Sequence, residues 1–368
     1  MSKTMSDGRN FTPDWFSATY AEARAKFRAA ALAAGAETGS YPHPLKGPDG
    51  GDLATDIALL GPRNATRIAV ISSGTHGVEG YCGSGIQVGL LEHNIQAELP
   101  ADTAILLVHA HNPHGFAHDR RVTEDNVDLN RNFPDFDQPL PENDAYDQVH
   151  PWLVPGDWDG PLRQVADEAI AGFIEDQGLF AFQGAVSGGQ YAHADGMFFG
   201  GFKATWSNQT IRTLAAEWCA GAEHLALLDL HTGLGPRGFG ELIAIGPDDA
   251  IVRAKNWYGD EAKSMTGGES VSALVQGTVN FGYEQSIGEA RITPIAIEYG
   301  TLPQEDVLQA IRADNWLYLH GDVGSEAGQA IKQTVRDAFY GDDDPWKQDV
   351  WTRALEVIRK ALVGIAAE

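Results

Sequence analysis

Arg67-Ile68-Ala69-Val70-Ile71 is followed, four residues on, by His76-Gly77-Val78-Glu79. The first five residues read as a buried strand, and the tetrapeptide sets a His and a Glu three apart just beyond its end. A second apolar run, Leu225-Ala226-Leu227-Leu228, ends in Asp229-Leu230-His231. Apolar runs at 103–110, 224–230, 241–246 and 292–298 predict further interior strands, and the alternation of Leu53, Thr55, Ile57 and Leu59 predicts one with a single buried face. Helical patterns fall between them at about 84–94, 162–177, 208–220, 303–319, 325–340 and 345–364. The last opens on Asp344-Pro345 and carries Trp351, Leu355, Ile358 and Leu362 on one face. Strands alternating with helices predict an α/β fold of three layers, with helices on both sides of a central mixed, mainly parallel sheet. Thr12 and Pro13 suit the start of an N-terminal helix over 12–34. Residues 39–51 read as a turn-rich connector. Residues 134–161, with six prolines, many acids and no Lys or Arg, read as a long loop inserted into a single domain spanning 1–368.

A His and a Glu three apart, joined by a distant His, can hold a metal through three protein ligands. Zinc accepts this mixture of imidazole and carboxylate, and an open fourth position makes such a site catalytic. His76, Glu79 and His231 are the expected ligands, one zinc per chain. Asp229, two residues before His231 on a strand, projects to the same side and either orients an imidazole or is a packed, hydrogen-bonded acid. Glu298 ends the apolar run Ile295-Ala296-Ile297, where an acid is costly to bury without a partner or a task. His109, His111, His114 and His118 form a further cluster that either packs or, less simply, holds a second metal.

The order of motifs carries a resemblance. His76-x-x-Glu79, Asn112-Pro113-His114-Gly115, Asp128-Leu129-Asn130-Arg131-Asn132-Phe133, Asp229-Leu230-His231-Thr232 and Glu298-Tyr299-Gly300 resemble, in sequence order, the motifs of the zinc carboxypeptidase (funnelin) superfamily. The match runs over about 66–301. The last two motifs are more similar to the aspartoacylase and succinylglutamate-desuccinylase branch than to the digestive carboxypeptidases, and the whole pattern is most similar to a bacterial group within the superfamily. The resemblance implies a carboxypeptidase-like fold and a zinc-dependent hydrolase. It implies that Glu298 takes a proton from the attacking water and returns it to the leaving nitrogen. It assigns Arg121, or its neighbour Arg120, to polarising the scissile carbonyl, and Asn130 and Arg131 to holding a substrate carboxylate. Tyr283 is the nearest candidate for a tyrosine beside the scissile bond. The activity expected first is a carboxypeptidase acting on peptides with a free C-terminal carboxylate. The alternatives are an N-acyl amino acid deacylase and a metal-binding protein without catalysis.

Composition narrows the partners. A net charge of −25 argues against nucleic acid and anionic membrane surfaces. No apolar run is long enough to span a bilayer, and the N-terminus lacks a signal-peptide core. With two cysteines, Cys82 and Cys219, a disulfide framework is not expected, and a cytoplasmic setting is the simplest reading. Gly83-Ser84-Gly85 is not a nucleophile elbow, because Cys82 stands where its first glycine belongs.

Overall fold

A computed structural model of the chain describes residues 11–265, 270 and 275–368. Its strands are β1 (Glu37–Lys46), β2 (Asp52–Leu60), β3 (Arg67–Ser73), β4 (Thr103–His109), β5 (His224–Arg237), β6 (Gly240–Ala244), β7 (Ala262–Ser264) and β8 (Arg291–Gly300). They form one sheet in the order β1-β2-β4-β3-β5-β8-β6-β7. The central β4-β3-β5-β8 pairings are parallel, while β1, β2 and β6 join antiparallel. The mixed, mainly parallel sheet expected from the sequence is therefore the one observed.

The helices are α1 (Tyr20–Ala33), α2 (Gly80–Glu92), α3 (Pro113–Ala117), α4 (Asp144–Leu153), α5 (Pro161–Gln177), α6 (Leu179–Ser187), α7 (Trp206–Trp218), α8 (Asp248–Tyr258), α9 (Asn280–Glu284), α10 (Gln304–His320), α11 (Glu326–Phe339) and α12 (Asp344–Ala366). The period of two along each strand sorts them into layers. Ala69 and Ile71 of β3 and Ala226, Leu228 and Leu230 of β5 pack with α1, α2, α8, α10, α11 and α12. Ile68 and Val70, with Leu225 and Leu227, pack on the other face with Ile211 and Leu214 of α7 and Tyr283 of α9. Asp229 and His231 continue the parity of Leu225 and Leu227.

β3 and β5 are neighbours, but the chain leaves β3 toward β4 and leaves β5 toward β6 and β8. The carboxyl ends of β3 and β5 thus flank a topological switch point, the place where open α/β sheets bind ligands. His76 lies just beyond the end of β3, and His231 lies within β5 one residue past Leu230, the partner of Ser73 at that end.

Three expectations change. The helix over 12–34 is two pieces, a 3₁₀ turn at Pro13–Trp15 capped by Thr12, then α1 capped by Thr19, whose side chain accepts from the Glu22 N–H. The connector at 39–51 is β1 as far as Lys46. Pro42 and Pro44 fit there because β1 is an edge strand, where a missing N–H need break no ladder bond. The 134–161 loop contains α4, started by the Asn143 side chain and holding Pro151 within its C-terminal part. Tyr146, Val149 and Leu153 of α4 are buried with residues of α5 and α6 in a separate small core. The histidines at 109–118 follow the simpler of their two readings and pack: His109 is a core residue stacked on Phe27 and bonded to Ser84, and His114 stacks on His118.

Candidate metal centre

The His76–Glu79 turn is fastened by backbone. Gly77 N–H donates to the Arg121 carbonyl (3.0 Å) and Val78 N–H to that of Arg120 (2.9 Å). A Cβ on Gly77 would lie 2.1 Å from the Gly115 carbonyl carbon, so only glycine permits this approach. The same two bonds bring the Arg120-Arg121 pair alongside the turn, and Arg121 is the one whose side chain faces it. Arg121 Nη2 lies 2.7 Å from His76 Nε2 and Nη1 lies 3.3 Å from Glu79 Oε1. Arg120 turns away to Asp314 (2.9 Å) and Asn126 (2.9 Å).

His76, Glu79 and His231 converge, all three buried, with one ligand atom from each within 4.8 Å of the others. Glu79 Oε1 is 2.8 Å from His76 Nδ1, and Oε2 is 3.0 Å from His231 Nδ1. The two Nδ1 atoms are 3.2 Å apart. His231 Nε2 is 2.6 Å from Asp229 Oδ2, and a carboxylate there requires the proton on Nε2. Nδ1 of His231 then faces another imidazole nitrogen and a carboxylate, where it holds either a proton or a cation. Electron-rich atoms crowded this way, out of water, call for a cation. The electrostatics agree. Burial would lower His231, but Asp229 and Glu79 hold its pKa well above the usual histidine value. Burial would raise Glu79, but His76 and His231 hold it down to about 2. The donor set therefore fits zinc. His76 Nε2 accepts from Arg121 Nη2, which can only donate, and Asp128 Oδ1 lies 3.4 Å from the same nitrogen. A cation taken at Nδ1 would leave the His76 proton on Nε2, and Arg121 could then no longer donate to that nitrogen.

Glu298 stands opposite His231 in the β5–β8 register. Its Oε1 accepts the Leu234 N–H at 2.9 Å. Burial, and then the Glu79 charge, push its carboxyl up to about 7. Arg131 is buried, its Nη1 on the Asn130 carbonyl (3.1 Å) and Nη2 on the Ser187 carbonyl (2.6 Å), while Nε has no protein partner. Asn130 Oδ1 accepts from the Val279 N–H. Tyr283 is fully buried with its hydroxyl 2.9 Å from His111 Nε2.

Three contributors carry no role in the sequence reading, although Asp128 opens one of its motifs. Asp128 accepts from Arg121 Nε (3.1 Å) and caps the 129–131 turn. Burial would raise it, but Arg121 and Arg131 hold it well below the usual carboxylate range. Thr75 donates to Asp229 (2.8 Å) and, with that proton committed, accepts from His111 Nδ1 (2.8 Å). A neutral chain Tyr283–His111–Thr75 thus ends on the carboxylate that orients His231, with burial holding His111 down to about 4. Phe198 sits with its ring centroid 5.2 Å from the Arg121 guanidinium carbon and 5.8 Å from that of Arg131.

A family model described as "Protein of unknown function (DUF2817)" matches residues 16–353. Among solved structures, thrombin activatable fibrinolysis inhibitor (TAFI) is similar at 10% identity and TM-score 0.52, over 99% of this chain and 78% of that one. Carboxypeptidase A from Helicoverpa armigera is similar at 13% identity and TM-score 0.43, over 91% and 77%. Succinylglutamate desuccinylase from Chromobacterium violaceum is similar at 17% identity and TM-score 0.35, over 84% and 72%. No curated protein sequence matches. The fold is zinc-carboxypeptidase-like, as the resemblance implies.

Proposed function

We propose that this chain, which belongs to the DUF2817 family, is a zinc-dependent hydrolase that cleaves an amide bond with an activated water, specifically a carboxypeptidase acting on peptides with a free C-terminal carboxylate. The observation that carries the reading is the buried convergence of His76 Nδ1, Glu79 and His231 Nδ1, with Glu298 across from His231 and Arg121 beside His76. The whole chain is read as one catalytic unit, since both metal motifs and the base stand on one sheet. Among the described residues no helix is long and apolar enough to cross a membrane.

His76, Glu79 and His231 would hold the zinc. Bound there, zinc supplies Lewis acidity that polarises a carbonyl and makes water easier to deprotonate. Glu298 takes the proton from the attacking water and delivers it to the leaving nitrogen. Its elevated pKa suits both halves of that task, because a base near neutrality is also an acid near neutrality. Arg121, no longer donating to His76, meets the charge that develops on the carbonyl oxygen. Asn130 and Arg131 hold the carboxylate. Asp229 and Asp128 orient the two imidazoles.

Two expected results follow here. Because the metal-free site holds a proton on His231, zinc must displace it. A raised pKa means the proton is bound more firmly as pH falls. Zinc affinity should therefore weaken toward acid, about tenfold per pH unit for each proton displaced. Zinc titrations at several pH values, with proton release read from buffers of different ionisation enthalpy, check this; affinity independent of pH contradicts it. The second concerns the arginines. Arg131→Ala should chiefly raise KM, because the carboxylate is charged throughout the reaction. Arg121→Ala should chiefly lower kcat, because the oxyanion exists only in the transition state. Steady-state kinetics on free-acid and amidated forms of one peptide separate the roles. Equal cleavage of both forms by wild type would make the protein an amidase or endopeptidase on the same site. A preference for N-acyl amino acids over peptides would make it a deacylase.

A further inference from the structure

Outside the triad, two other imidazoles lie face to face. His150, in the last turn of α4, and His193, in the segment leading to Phe198, have ring centroids 4.0 Å apart and planes 23° from parallel. Each points Nε2 at a carboxylate: His150 at Asp195 Oδ1 (3.2 Å) and His193 at Asp147 Oδ1 (2.7 Å). One donor atom from each of His150, His193 and Asp195 falls within 4.8 Å of the others. Asp147 stands three residues before His150, hence on the same helix face.

Their chemistry differs from that of an ordinary surface ion pair. The 134–161 segment contributes no Lys or Arg, so Asp147 has no cation from its own stretch of chain. Burial lowers His150 below its ordinary value against the raising effect of Asp195, and the neighbouring His193 lowers it further. Two carboxylates beside two imidazoles carry the charge that a divalent ion neutralises, and the stacked rings would turn edge-on to share it, because each imidazole coordinates in its own plane. Imidazole donors select zinc-like ions over magnesium or calcium.

We propose that His150, His193 and Asp195, with Asp147 beside them, form a second site for a divalent transition metal of the zinc type, separate from the triad. The carboxylates are half or more exposed, so this site exchanges metal freely. Its place in the fold gives it a bracing role. It would join α4 to the 190–199 segment. Asn126 already ties that segment down through the Ala194 and Gly196 carbonyls, as Asn315 does through that of Asp195. Phe198, at its far end, covers Arg121 and Arg131.

The test is equilibrium dialysis of the full chain against buffered free zinc, with bound metal measured by elemental analysis. Wild type should bind about two equivalents at saturation, and the His150→Ala, His193→Ala variant about one. The His76→Ala, His231→Ala variant should keep the weak equivalent, so failure of the triad assignment and failure of this one read out separately. In that variant zinc should raise the unfolding midpoint, and the rise should vanish when His150 and His193 are also replaced. Asp195→Asn, an exposed and nearly isosteric change, should weaken the second equivalent in a protein whose circular dichroism is unchanged. Saturation of wild type at one equivalent overturns the proposal, and so does a second equivalent that survives in the His150→Ala, His193→Ala variant.

Discussion

Glu298→Gln is expected to lower the turnover rate on the order of 10³-fold while leaving the fold and the bound zinc intact. The amide keeps the shape of the side chain and can still accept the Leu234 N–H that holds Glu298 Oε1 at 2.9 Å. It cannot take a proton from water. Zinc content near wild type with near-normal turnover would exclude Glu298 as the base. The wild-type pH profile offers an independent check. Protonating Glu298 removes the base, so kcat/KM should fall as pH drops through its pKa. Burial and the Glu79 charge push that value up to about 7, and a cation at the triad opposes Glu79 and brings it lower. The acidic limb should therefore lie at or below neutrality, and the Gln variant should lack it.

The other large effect is expected at the triad. His76→Ala with His231→Ala removes two of three ligands, leaving Glu79 without either imidazole it faces. Zinc retained through dialysis should drop from about one equivalent to none, and hydrolysis should fall to background. The fold should persist, because the layers are held by the strand and helix contacts that flank the site rather than by it. Stoichiometric zinc surviving dialysis in this variant would refute the ligand assignment.

The parts of the molecule legible in the sequence were those with local physics. β3 and the first half of β5 are buried on both faces, so they read as unbroken apolar runs, and the ends of those runs announce His76 and His231, although β5 itself continues to Arg237. α12 shows its buried face as Trp351, Leu355, Ile358 and Leu362. β1 was hidden because two prolines speak against a strand unless its position at the edge of the sheet is known. α4 was hidden among prolines and acids, since its Asn143 cap and its partners in α5 and α6 are set by tertiary packing. The choice between Arg120 and Arg121 was undecidable from spacing because the two are adjacent. In the fold Arg121 lies beside His76 and Glu79 while Arg120 turns to Asp314, which is what favours Arg121 for the proposed role. Thr75, His111 and Asp128 gain their meaning from topology, which carries three distant segments to one end of the sheet.

One measurement bears most directly on the central claim. Purified protein is stripped with a chelator, assayed against a panel of peptides and N-acyl amino acids, and assayed again after zinc is restored. Hydrolysis of a substrate bearing a free carboxylate next to the amide should disappear with the metal and return with it, in wild type but not in His76→Ala, His231→Ala. Hydrolysis that survives stripping, or a zinc-filled triad that turns over nothing in the panel, contradicts the account.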